Sequence, residues 1–141
     1  MRLTIQTLDR GWHDRDEILL HAAFQILVDF MDQEKPGKDI DWGHDALHRH
    51  AWKEIRSLYR WWTEQRAARH SPLDEKQLVR PPLRFKKIPG TEFSEAVTPD
   101  KKKYAAYYRA LRQQSRLEDK WEAEDQRNLH RLIEIRGFLW T

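Results

Sequence analysis

The stretch "DALHRHAWKEIRSLYRWWTEQRAA", residues 45–68, decides the fold class. Leu47, Ala51, Ile55, Leu58 and Trp62 recur at the three-and-four spacing of one helix face, and Trp52 and Tyr59 widen that face. Arg49, Lys53, Arg56 and Arg60 stack on another face at the same spacing. An apolar stripe beside a basic one predicts a helix lying on a core with its cations outward. Successive residues of an α-helix are about 100° apart, so Trp62 turns inward and Trp61 is expected at the rim.

On the N-terminal side, residues 14–34 predict another helix. Asp14, Asp16 and Glu17 favour the positive end of a helix dipole, and Pro36-Gly37 ends the run. Leu20, Phe24, Leu27 and Met31 form one apolar stripe, flanked by Leu19, Ala23, Ile26 and Phe30, so this helix is expected at the centre of the core.

On the C-terminal side, residues 70–99 hold five of the six prolines and no helical period, which predicts an extended strap packed across the helices, with a short strand pair as one form of it. Thr98-Pro99-Asp100 is a helix-start signal, and a third helix is expected over 100–136, its alternative being a break near Ser115 in a polar middle. Residues 137–141 form an aromatic tail that folds back or meets another subunit. The expectation is an all-α domain, 1–141, of three long helices in a small bundle.

Composition narrows the function classes. The chain has no cysteine, which excludes disulfide scaffolds, thiolate metal sites and cysteine nucleophiles and fits a cytosolic protein. No run is long and apolar enough for a membrane span, and the N-terminus has no signal-peptide pattern. There is no Gly-rich phosphate loop and no Gly-x-Ser-x-Gly elbow, so binding is expected rather than catalysis, with no cofactor. Net charge is +3 but uneven: residues 43–90 carry 11 Lys and Arg against five Asp and Glu, whereas residues 1–42 carry five against nine.

Protein binding is the function expected, with nucleic-acid binding and a metal-dependent hydrolase as its alternatives, and each has its own set of candidate residues. For protein binding, Trp61 and Arg60 on the second helix and Phe138 and Trp140 in the tail have the composition of interface anchors. For nucleic acid, Arg49, Lys53, Arg56 and Arg60 make a basic ridge, to which Arg84, Lys86 and Lys87 of the strap add charge. For a metal-dependent hydrolase, the pairs Glu17 and His21, His50 and Glu54, and His130 and Glu134 each place two ligands one turn apart. His21 also has a plainer reading, a helix-surface residue bonded to Glu17 or Gln25.

The phrases "DEILLHAAFQILVDF", "LYRWWTEQR" and "LIEIRGFLWT" resemble segments of small uncharacterised proteins of tailed bacteriophages. The resemblance covers about half the chain. It implies a phage accessory or virion protein, acting in the host cytoplasm or the particle through protein partners or homo-oligomers, and no activity.

Overall fold

The computed structural model describes residues 3–139; the expectation placed on Trp140 lies outside that range. The chain is mostly helical, with three long helices and one short two-stranded sheet. In order, α1 spans Arg15–Asp29 and α2 Pro36–Asp39, α3 spans Ala46–Arg60, β1 spans Phe85–Lys87 and β2 Ser94–Ala96, and α4 spans Ala105–Ile135. None of the described helices is long and apolar enough to cross a membrane.

The described residues fall into two compact units, one drawn from Met1–Arg69 and Glu122–Thr141, the other from His70–Trp121, where the sequence predicts one domain. All the buried apolar side chains belong to the first unit: Phe24, Leu27 and Phe30 from α1 and its extension, Trp42, then Ala51, Ile55, Leu58, Trp61 and Trp62, and Leu132 and Ile135 of α4. Phe24 is the centre of this core. Its ring stacks on Trp62 at 4.5 Å and 10° and tilts against Trp61 at 5.2 Å, offset aromatic arrangements that add to plain area burial.

The ends of α1 and α3 share one feature. Each helix widens into a π-helical turn, Phe30–Glu34 after α1 and Trp61–Arg66 after α3. A π turn bonds i to i+5 and so takes a smaller angular step per residue than an α-helix. Trp61 and Trp62 stand three and four residues after the fully buried Leu58, offsets that share one helix face, so Trp61 does not sit at the rim. It is 4% exposed and lies in the core beside Trp62, which corrects its assignment as a surface anchor.

After the first π turn, Lys35 takes a left-handed conformation (φ 49°) and reverses the chain. The following loop is pinned by Trp42, whose indole N–H donates to the Pro36 carbonyl at 2.9 Å and whose ring stacks on Trp52 at 4.9 Å. Gly37 makes that packing fit, because a Cβ there would approach the Trp52 ring to 3.2 Å. Asp45 then caps α3 by accepting from the His48 backbone N–H at 2.8 Å.

The second unit contains no buried residue. Its hairpin pairs Phe85 with Ala96, Lys86 with Glu95 and Lys87 with Ser94, antiparallel. Leu83, Phe85 and Phe93, expected to pack in a strap, stay 79%, 62% and 74% exposed. The reason is local: prolines on both sides and strands three residues long leave too little backbone pairing to build a buried face. The helix-start signal at Thr98-Pro99-Asp100 makes a turn instead, in which Asp100 accepts from the Lys102 N–H, and α4 begins at Ala105. From there α4 runs without a break past Ser115, supported by i, i+4 contacts such as Gln114 to Glu118.

Candidate functional site

Arg49, Lys53, Arg56 and Arg60 all project from one face of α3 and all are exposed. The opposite face carries Ala51, Ile55 and Leu58, each fully buried, so the core holds the helix in the one rotation that turns these cations to solvent. Two of the four are held in place. The Arg49 guanidinium donates to the Gly43 carbonyl at 3.0 Å, and that of Arg56 lies 5.3 Å over the Trp52 ring, a cation–π contact that orients it without neutralising it.

Among the described residues, no carboxylate forms an ion pair with any member of this ridge. The acid nearest in sequence, Glu54, is occupied elsewhere. It accepts from Arg131 Nε of α4 at 2.7 Å, and this bond holds its carboxyl below the ordinary carboxylate range. Arg131 also donates to Asn128 and to Ser57 Oγ. The pairing turns that carboxylate toward Arg131, although its charge still acts on Lys53 of the ridge. Beside it lies a shallow depression of about 290 Å³ lined by Lys53, Arg56, Ser57, Arg60 and Gln65, whose side chains all offer hydrogen-bond donors.

The next two arginines of the same segment behave differently. Arg66 lies 4.5 Å over Trp62 and binds Asp125, and Arg69 binds both Asp125 and Glu124 at 2.6 and 2.7 Å. These cations are cemented to α4 over the core tryptophans and serve the fold.

The other candidates disperse. The three histidine–carboxylate pairs do not converge, and no group of three metal-ligating side chains occurs among the described residues. Glu17 pairs with His13, which also contacts Asp9, and these two bonds raise the His13 pKa. His21 is buried, not on the surface. Its Nδ1 shares a 2.6 Å hydrogen bond with Thr7 Oγ1 and its ring meets Trp62 edge-on, so burial lowers its pKa, helped by the nearby Arg66 charge. Glu54 belongs to Arg131, leaving His50 exposed, and His130 bonds Gln126 while Glu134 faces solvent.

Of the protein-binding set, Trp61 is core, Phe138 is half-buried against His48 with its ring 5.2 Å away, and Arg60 belongs to the ridge. Arg84, Lys86 and Lys87 are exposed on and beside β1 of the second unit. Ser57, Gln65 and the Arg131 clamp escaped sequence reasoning. The first two are ordinary residues that matter only by facing the ridge, and the third comes from 77 residues away. The His13 pairs with Asp9 and Glu17 were readable as i, i+4 spacings. Comparison with protein-family models, with curated proteins and with solved structures returns no match.

Proposed function

We propose that the protein binds nucleic acid through the phosphate backbone, without reading base sequence, on the basic ridge of α3. The observation that carries this reading is the run of four cations at helical spacing with no carboxylate among the described residues paired to them. Cations at i, i+3 and i, i+4 stand about 5–6 Å apart, and the four extend over about 16 Å of helix, so they follow a line of phosphates better than they surround one small anion. Ser57 and Gln65 add neutral donors at one end. Among the described residues of this face no stacking platform accompanies them: Trp52 is engaged by Trp42 and by Arg56. Base stacking, the usual aid of single-strand binders, therefore has no support among the described residues of this face.

The test is fluorescence anisotropy with a labelled duplex at low salt. The Lys53→Glu/Arg56→Glu/Arg60→Glu protein loses binding while its circular dichroism stays that of the parent, because all three positions are exposed. Retained affinity in the reversed variant ends the proposal.

A second reading, an accessory protein of a phage that acts through protein contacts in the host cell or the virion, draws support from one feature, the uncovered Leu83, Phe85 and Phe93 of the hairpin unit. It requires that Phe85→Ser/Phe93→Ser abolish retention of a partner that the parent protein captures.

A further inference from the structure

Helix α1 has a broad apolar surface, interrupted by the polar stripe Glu17, His21, Gln25 and Asp29, and it carries more apolar residues than one core-facing side can use. Here only one side is covered. Phe24 and Leu27 are fully buried, whereas on the outer side Ile18, Leu19 and Ile26 are 41%, 62% and 37% exposed, and Trp12, just before the helix, is 85% exposed. The outer stripe runs Arg15, Leu19, Ala22, Ile26 and Asp29, spaced four, three, four and three residues apart. That is the spacing of a coiled-coil seam, with three apolar residues between two charged ends, on the face turned away from the core.

The ends of the stripe name the occupant. Arg15 and Asp29 lie seven residues to either side of Ala22, the smallest residue of the stripe. Two copies of α1 crossing antiparallel at Ala22 bring Arg15 of each copy to Asp29 of the other, set Leu19 and Ile18 against Ile26, and let the backbones approach where the side chain is a methyl. The parallel arrangement instead sets Arg15 against Arg15 and Asp29 against Asp29. Antiparallel packing also places the N-terminus of each helix dipole beside the partner's C-terminus. Arg15 forms no ion pair among the described residues, and Asp29 accepts a single side-chain bond, from Gln25 Nε2 at 2.8 Å, so both ends retain capacity for the contact.

We propose that a second copy of this chain covers the outer face of α1, giving a two-fold symmetric dimer with antiparallel α1 helices crossing at Ala22. A self-complementary patch of this kind closes as a dimer and does not propagate.

Sedimentation equilibrium over a range of concentrations tests it, one chain being 17.2 kDa. The parent protein reaches the mass of two chains and no more. Leu19→Glu returns it to one chain with an unchanged helical spectrum. Arg15→Glu and Asp29→Arg each weaken the dimer, and Arg15→Glu/Asp29→Arg restores it, a rescue specific to the antiparallel register. Because the chain has no cysteine, Ala22→Cys adds a single thiol at the crossing. Mild oxidation then links two chains covalently, whereas Leu47→Cys, on an exposed position of α3, does not. A single-chain mass at every concentration, a dimer indifferent to Leu19→Glu, or a charge swap that fails to restore association would each overturn the proposal, and the cross-link reads the crossing point even if a charged variant misfolds.

Discussion

The ridge of α3 makes a quantitative demand on how binding responds to salt. Each phosphate neutralised on a duplex releases condensed counterions, so the logarithm of the association constant falls with the logarithm of salt concentration at about −0.9 per contact. Four cations, Arg49, Lys53, Arg56 and Arg60, share the exposed face, and full engagement gives a slope of about −3.6. Between about 50 and 200 mM salt, affinity then drops about 150-fold. Arg56→Gln removes one charge but leaves an aliphatic stem on the Trp52 ring, so packing is largely kept. Its slope falls to about −2.7, and the same change of salt costs about 40-fold. The assay is anisotropy of a labelled duplex titrated at four or more salt concentrations with parent and variant in parallel. Two duplexes of unrelated sequence should give the same slopes, since phosphate contacts carry no base information. A flat salt response in the parent, or an Arg56→Gln slope equal to the parent's, refutes the reasoning.

Two further outcomes follow from burial and from charge. Phe24→Ala opens a hole between Trp61 and Trp62 and costs about 3–5 kcal/mol, whereas Phe85→Ser in the uncovered hairpin stays within about 0.5 kcal/mol of the parent; urea unfolding followed by tryptophan fluorescence separates the two, and equal losses would contradict the burial of the first and exposure of the second. His13 has a raised folded pKa because Glu17 and Asp9 bond its ring, so its contribution is fully present below the ordinary value of 6.5 and is lost as pH rises through the raised one. His13→Ala is therefore expected to lower stability well below pH 6.5 and to leave it unchanged well above; unfolding curves at the two extremes check this.

Much of the fold was legible from local rules. Of the stripe Leu47, Ala51, Ile55, Leu58 and Trp62, the last four turned inward as their spacing requires, whereas Leu47, in the first turn of α3 where no element covers it, is 69% exposed; the basic stripe turned outward because it shares the same helical period. Asp45 and Pro36-Gly37 bounded their helices for reasons of backbone hydrogen bonding that act within a few residues. The proline content of residues 70–99 excluded helix in the same local way. Of the candidate site, the four cations could be read directly, since i, i+3 and i, i+4 spacing is enough to place them together.

What the sequence by itself determined, then, was periodicity: three long helices, the end signals of the first two, and the shared face of Arg49, Lys53, Arg56 and Arg60. Only the tertiary structure decided the rest. It set Trp61 in the core beside Trp62, paired Glu54 with Arg131 from the far end of the chain, and left apolar residues on the outer face of α1 uncovered. The physical reason is range. Spacing reports how neighbours along a helix are arranged, whereas which charge finds a partner, and which apolar face goes uncovered, depends on segments that meet only after the chain has folded.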